Sequence, residues 1–399
     1  MIPRHRPPFD AISLLNTALR CFAKRQGMED IERLYQTSLN VGNAVWLPSA
    51  RFGITNSIQL NVPKTGTVVC PAFNCGAVFH AASECGLPVQ FADCQQSSFL
   101  LDTSTKPVSD SAVILSEMFG QRFSVAELSQ PLVSEAACRV FDMAMAIPTP
   151  QDMQRMKDAD VTVLSFGLGK SLYAGWGGMA LTHCRDTATE LRRLRNAALR
   201  PAGVLSRTKW NAQLIARTAA HQPVIYRQLR ELKQRKNGDQ NSAEESAFTR
   251  QSHEWHRPPT GYSATKSVEN WNNTEQFSER RRQLCHEYSR QLGEAAVHIQ
   301  LPESTHAALS HYSIRIHEHH RIPLRQHLWN NGIDVGTLFP FPEHLCSPSD
   351  FPNASSASKE VLNLPLSNQL TTEDVTKICN SIKCGMAIPE LKNSAKRAA

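Results

Sequence analysis

Residues 161–183 read VTVLSFGLGKSLYAGWGGMALTH, and this stretch carries the clearest indication of the fold. An apolar run ends at Phe166, a glycine-rich segment holds a single lysine, Lys170, and a second apolar run begins at Gly177. Apolar runs without polar alternation are typical of strands that are buried on both faces of a sheet. Ligands of α/β sheets collect at the carboxyl ends of strands, and a lysine placed there can act as a Schiff-base nucleophile. The alternative interpretation is a surface lysine in a turn.

Similar apolar runs recur on the N-terminal side of this stretch and alternate with segments long enough for short helices. The six predicted strands are 67–73, 89–94, 112–118, 138–142, 161–166 and 177–183. The predicted helices between them are 76–86, 121–130 and 150–158. Strands that alternate with helices along the chain predict an α/β fold with a mostly parallel sheet flanked by helices.

The remaining segments predict an N-terminal helix and a second, smaller unit. The N-terminal helix is expected at 10–24. After a polar insertion, the pattern predicts one long helix at 263–293 and then an α+β unit. Its predicted elements are a strand at 311–316, a helix near 323–331 and a helix at 371–385 that starts at Thr371.

Composition excludes several classes of protein. The 399 residues contain 43 Lys and Arg against 36 Asp and Glu, a net charge of +7 that is largely scattered, so we expect no nucleic-acid partner. Residues 65–83 lack charged side chains, but Pro71, Asn74 and Gly76 interrupt them, which predicts a strand, a turn and a helix start rather than a membrane span. The 11 cysteines show no CxxC spacing and indicate a reduced, cytoplasmic setting.

Three further positions could carry chemistry. Asp142 ends the run CRVFD, and a carboxylate at the end of a buried strand is costly unless it is paired. Pyridoxal phosphate offers such a partner in its protonated ring nitrogen, although a helix cap is the alternative role. Ser165, before Lys170, and Arg51, at an expected helix start, could bind a phosphate, or could be a plain cap and a solvated charge.

Two other patterns are interpreted as structural. A phosphate-binding P-loop would need glycine at position 164, which is Leu164, so the Gly-Lys-Ser sequence at 169–171 is not that motif. The segment 317–320, His-Glu-His-His, is interpreted as a solvated polar loop, and no metal site is predicted. Arg280, Arg281 and Arg282 are interpreted as the exposed face of the long helix.

Taken in order, four motifs resemble the DegT/DnrJ family of sugar aminotransferases, which are fold type I enzymes that depend on pyridoxal phosphate. The resemblance extends through the C-terminal unit and covers nearly the whole chain. The motifs are PAFNCGAVFHAASECGLPVQFADC (71–94), ILSEMFGQ (114–121), VFDMAMA (140–146) and SFGLGKSLYAGWGG (165–178).

The resemblance implies roles for single residues. Lys170 would form the Schiff base with the cofactor and Asp142 would hold its ring nitrogen. Ala144 would pack on the ring and Ser165 would bind the phosphate, while Arg51 and Phe52 occupy the family's phosphate-loop positions.

Three positions depart from the family pattern. Met145 stands where the family has Gln or His, and it cannot donate a hydrogen bond. Cys75 stands where an aromatic residue often stacks on the ring, with Phe73 or Asn74 as the possible compensation. The family's Asn-Tyr-Arg motif, which reaches the partner subunit's phosphate, is replaced by Thr-Gly-Tyr at 260–262.

The resemblance also implies a function and an organisation. We expect transfer of an amino group from glutamate to a nucleotide-linked keto sugar, for surface polysaccharide or related sugar biosynthesis, by a homodimer. The alternatives are a lyase or decarboxylase acting on an amino acid, or a non-catalytic regulatory protein that binds the cofactor. The expected units are an N-terminal arm and helix (1–30), a large cofactor-binding domain (31–227), a variable insertion (228–262) and a small C-terminal domain (263–399).

Overall fold

A seven-stranded sheet forms the centre of the larger part of the molecule. The computed structural model describes residues 1–9, 13, 16, 17, 27–237, 257–293, 299, 300 and 309–387. The strands of this sheet are β1 (Asn43–Leu47), β2 (Thr67–Pro71), β3 (Val89–Ala92), β4 (Ser111–Ser116), β5 (Cys138–Asp142), β6 (Val161–Ser165) and β7 (Gly178–Thr182). They lie in the order β1-β7-β6-β5-β4-β2-β3.

The pairing of these strands confirms the predicted mostly parallel sheet. β3, β2, β4, β5 and β6 run parallel, whereas β7 is antiparallel to both β6 and β1. Every residue of β4 and β5 is buried, as expected for strands covered by helices on both faces. The sequence did not reveal β1, because this edge strand pairs only with β7, whose residues follow it by more than 130 positions.

Helices cover the sheet and form most of the remaining chain. The described helices are α1 (Met28–Leu39), α2 (Ala50–Asn61), α3 (Gly76–Glu84), α4 (Val125–Leu128), α5 (Pro131–Ser134), α6 (Pro150–Gln154), α7 (Arg185–Ala198), α8 (Val204–Ala219), α9 (Pro223–Asn237), α10 (Gly261–Asn272), α11 (Thr274–Gly293), α12 (Glu318–Asn330), α13 (Pro352–Glu360) and α14 (Thr372–Met386). The uncharged stretch at 65–83 is divided between β2 and α3, as predicted. Within the described ranges, no helix is both long and apolar enough to span a membrane.

A second, antiparallel sheet has its own apolar cluster. Its strands, in spatial order, are β10 (Val361–Leu364), β9 (Tyr312–Ile316) and β8 (Ile299–Gln300). Side chains from α11, α12 and α14 pack with β9 and β10 in this cluster. α14 begins as predicted, because Thr371 Oγ1 accepts from the Asp374 amide at 3.1 Å while Asp374 Oδ2 accepts from the Thr371 amide at 3.2 Å.

Three predicted segments differ from the structure. The helix expected at 121–130 is two short helices, α4 and α5. The single helix expected at 263–293 is interrupted at Asn273, between α10 and α11. The segment 317–320 is the start of α12 rather than a loop. Among the described residues, no three metal-ligating side chains lie close enough together to hold a metal ion. The predicted helix at 10–24 lies almost entirely outside the described residues, as does most of the insertion.

Candidate active site

Three neighbouring parallel strands end at one pocket. Ser116, Asp142 and Ser165 are the last residues of β4, β5 and β6, and Ser116 and Asp142 are direct partners in the β4–β5 register. Lys170 follows Ser165 by five residues and also lines the pocket. The wall is completed by the start of α2, the start of α3 and the turn after β5. The sheet thus places the two candidate catalytic residues of the sequence analysis, Lys170 and Asp142, against the same space.

Asp142 is almost completely buried, with 7% of its surface exposed. Its Oδ2 accepts a hydrogen bond from Ser116 Oγ at 2.9 Å, and its Oδ1 accepts from the Ala144 amide at 3.1 Å. Burial raises the pKa of Asp142, while the charge of Lys170 and these two hydrogen bonds act in the opposite direction. The carboxylate is therefore oriented, and a cation in the pocket would stabilise its charged form.

Asn74 extends this arrangement into the next strand connection. Its Nδ2 donates to Ser116 Oγ at 2.7 Å, and its Oδ1 accepts from the Cys75 amide at 2.7 Å. Because Ser116 Oγ accepts from Asn74, its own proton is available for Asp142. Asn74, Ser116 and Asp142 therefore form a continuous hydrogen-bonded chain along the pocket wall. Cys75, the residue that precedes α3, lines the same wall.

The start of α2 supplies a site suited to an anion. Ser49 caps this helix and accepts the Phe52 amide on its Oγ at 3.1 Å, and the start of a helix carries a partial positive charge that favours an anion. The helix can lie this close to the sheet only because residue 178 is glycine: a Cβ there would be 2.4 Å from the Leu164 carbonyl oxygen and 2.9 Å from the Ala50 nitrogen. Arg51, in the first turn, lines the pocket.

Most of the predicted cofactor-binding residues reach the pocket, but Phe52 does not. Its side chain packs against the apolar cluster between the sheet and α2, and its amide is occupied by Ser49. Phe52 is not among the residues that line the pocket, and its part in phosphate binding stays a prediction. The lining residues that were predicted are Arg51, Asn74, Cys75, Asp142, Ala144, Met145, Ser165 and Lys170.

The sequence analysis missed Glu117, which also lines the pocket. Its side chain is 6% exposed and pairs with Arg122, which in turn donates to the Ile147 carbonyl. Burial raises the pKa of Glu117 to about 7, although the charge of Arg122 lowers it. A charged residue directly after an uninterrupted apolar strand was the available signal, since burying such a group is costly without a partner.

The interpretation of the three consecutive arginines also changes. Arg280 and Arg282 are partly exposed, but Arg281 is buried, with 7% of its surface accessible. Consecutive residues of a helix point in directions about 100° apart, so a run of three cannot share one face. Arg281 faces the interior beside the loop that carries Lys170.

Comparisons with known proteins show which family this chain resembles. The sequence pattern of the DegT/DnrJ/EryC1/StrS aminotransferase family matches residues 25–243 and 262–383. The GDP-perosamine synthase of Vibrio cholerae is 22% identical over 343 residues, which is 81% of each chain.

Solved structures share the fold at low sequence identity. The S. venezuelae protein DesV is 19% identical, with a TM-score of 0.69 over 96% of this chain and 98% of that one. The aminotransferase TlmJ from Streptoalloteichus hindustanus is 18% identical, with a TM-score of 0.72 over 98% of this chain and the whole of that one.

Proposed function

The chain belongs to the DegT/DnrJ/EryC1/StrS aminotransferase family, an enzyme family that depends on pyridoxal phosphate, and we propose that it transfers an amino group from glutamate to a keto sugar carried by a nucleotide. The observation that carries this proposal is the convergence of three features on one pocket. These are the amine of Lys170, the buried carboxylate of Asp142 and the start of α2.

The residues of the pocket fit pyridoxal phosphate in three respects. The cofactor has an aldehyde, which suits the amine of Lys170, and a ring nitrogen, which suits the oriented carboxylate of Asp142. It also has a phosphate, for which Arg51 and the start of α2 provide positive charge and N–H donors. Ser165 adds a hydroxyl at the end of β6.

The chemistry divides between the cofactor and the protein. When bound, pyridoxal phosphate acts as an electron sink for the negative charge that forms on the substrate carbon. Asp142 would pair with the ring nitrogen and keep it protonated, and this pairing would stabilise the charged form of the buried carboxylate. The amine of Lys170 would hold the aldehyde of the cofactor and would serve as the base that moves a proton at the substrate carbon. Ser116 and Asn74 hold Asp142 in a single orientation.

The sugar-nucleotide substrate is supported by the comparison with the Vibrio cholerae GDP-perosamine synthase. The net charge of +7 would attract an anionic nucleotide to the protein. The proposal includes a role in surface polysaccharide or related sugar biosynthesis, and a cytoplasmic homodimer whose sites are shared between subunits.

Incubation with ¹⁵N-labelled glutamate and a panel of nucleotide keto sugars tests this proposal. Mass analysis should show one amino sugar that carries the label, and an equal amount of 2-oxoglutarate. Lys170→Ala should form neither product, whereas Lys157→Ala should match the parent, because Lys157 is an exposed residue that binds the Ser134 carbonyl. Release of carbon dioxide or ammonia from glutamate would favour a decarboxylase or lyase. Cofactor binding without any turnover would favour a regulatory protein.

A further inference from the structure

Lys170 forms part of the wall of two pockets. One is the pocket described above. The other lies between the loop after β6, the N-terminal segment and α11, and its basic lining residues are His5, Arg6, Lys170 and Arg281. No aspartate or glutamate is among the lining residues that the structure describes. The second pocket is therefore a cationic site that shares the candidate catalytic lysine with the first.

Arg281 is the buried cation of this second pocket. Its Nη1 donates to Ser171 Oγ at 2.5 Å and its Nε donates to Asn368 Oδ1 at 3.2 Å, so both acceptors are neutral. Within the described part of the chain, no carboxylate forms an ion pair with it. Burial lowers the pKa of Arg281 to about 10, which reflects the cost of holding a charge there. By contrast, the neighbouring Arg282 pairs with Glu279 at 3.0 Å on the outer side of α11.

Two buried histidines lie beside this pocket. The ring of His5 lies against residue 169, where a Cβ would be 3.5 Å from three of its atoms, and it contacts the His311 ring edge-on at a centroid distance of 5.0 Å. Burial and nearby cations, Lys170 among them, lower the pKa of both rings, that of His5 to about 3. His311 Nε2 is buried and has no hydrogen-bond partner among the described residues. Both rings are therefore neutral near neutral pH, the positive field comes from Lys170 and the arginines, and an anion here would offset it.

We propose that this pocket binds a carboxylate of the amino donor, with Arg281 as its principal ligand. The guanidinium has five N–H donors in a planar arrangement that matches a carboxylate, and its described contacts use two of them. A donor held by Arg281 would have its amine close to Lys170, because Lys170 lines both pockets. The inference rests on the proposed function, since it takes an amino acid as the donor.

The test is a calorimetric titration of the cofactor-loaded protein with glutarate, a dicarboxylate without an amino group. Arg281→Gln should weaken glutarate binding at least about tenfold, because hydrogen bonds to charged groups contribute more than neutral ones. The affinity of Arg281→Lys for glutarate should lie between those of the parent and Arg281→Gln, since lysine keeps the charge but loses the planar pair of donors. Arg282→Gln is the matched control: it removes the same charge from the same helix outside the pocket, and it should bind glutarate as the parent does.

A second titration, with nucleoside 5′-diphosphates, shows whether the pocket binds the amino donor or the nucleotide of the sugar substrate. Their affinity should be the same in the parent and in Arg281→Gln. A loss that fell on the diphosphates instead of glutarate would overturn the proposal, as would equal glutarate binding by Arg281→Gln and the parent. If Arg281→Gln does not fold, equal glutarate affinity of Arg281→Lys and the parent would also overturn the proposal. No sugar takes part in the glutarate titration, so its result is independent of whether sugar transamination is found.

Discussion

Ser116 Oγ donates a 2.9 Å hydrogen bond to Asp142 Oδ2, across the ends of two neighbouring parallel strands. The two residues are register partners, so their distance is fixed by the backbone pairing of β4 and β5. Asn74 donates to the same hydroxyl and leaves its proton for the carboxylate. The sheet thus orients the carboxylate before any ligand is bound.

Ser116→Ala should weaken pyridoxal phosphate binding about fivefold to tenfold, because one hydrogen bond contributes about 1 kcal/mol. The measurement is titration of apo-protein with the cofactor. The matched control is Ser111→Ala, which removes a buried hydroxyl from the opposite end of β4 and should leave cofactor affinity unchanged. Equal affinities for all three proteins would show that the Ser116 bond has no part in cofactor binding.

Borohydride reduction of the cofactor-loaded protein should attach the pyridoxyl group to Lys170. The reason is that Lys170 is the lysine that lines the pocket with Asp142. Peptide mapping by mass spectrometry locates the label. Lys170→Ala should remain unlabelled, and a label on any other lysine would contradict the assignment.

Ser165→Ala and Arg51→Ala should each weaken cofactor retention roughly tenfold or more, because charge-assisted hydrogen bonds to a phosphate contribute about 1.5–3 kcal/mol. The double variant should approach cofactor-free protein. Affinities for pyridoxal phosphate and for pyridoxal, which lacks the phosphate, should be compared. Weaker binding of the phosphorylated form alone supports the assignment, whereas unchanged affinity in both single variants would place the phosphate elsewhere.

Glu117 should make stability depend on pH between about 4.5 and 7. Its folded-state pKa, about 7, lies above the value of 4.5 for a free side chain, so the folded protein binds more protons in this range. The free energy of unfolding should therefore fall as pH rises through this window, by at most about 3 kcal/mol, since one pKa unit corresponds to about 1.4 kcal/mol.

Denaturant unfolding of cofactor-free protein at pH 4.5, 5.5, 6.5 and 7.5 measures this dependence. Glu117→Gln should flatten the curve, because glutamine does not titrate. Glu343→Gln is a control at an exposed glutamate and should keep the parent curve. A Glu117→Gln curve parallel to that of the parent would show that Glu117 does not bind an extra proton on folding.

The sequence by itself determined the strands of the sheet core and the order of the chemical motifs along the chain. Uninterrupted apolar runs such as 112–118 and 138–142 are typical of strands that are buried on both faces. A run of this kind indicates a parallel sheet from neighbouring residues alone. A carboxylate at the end of a strand and a lysine in a glycine-rich turn can also be identified from neighbouring residues alone. Lys170 and Asp142 could be named as candidates for that reason.

Only the tertiary structure decided which side chains share a pocket across long separations in the chain. The helical spacing of the buried residues Leu284, Cys285 and Tyr288 places Arg281 on the inner face of α11, but it does not say which segment Arg281 contacts. The hydrogen bond of Arg281 to Ser171 joins residues 110 positions apart. The packing of the Phe52 side chain likewise depends on how α2 lies against the sheet. The pattern of apolar residues along a segment indicates whether that helix or strand is buried. The position of a side chain relative to a pocket depends instead on how helices and strands pack against each other.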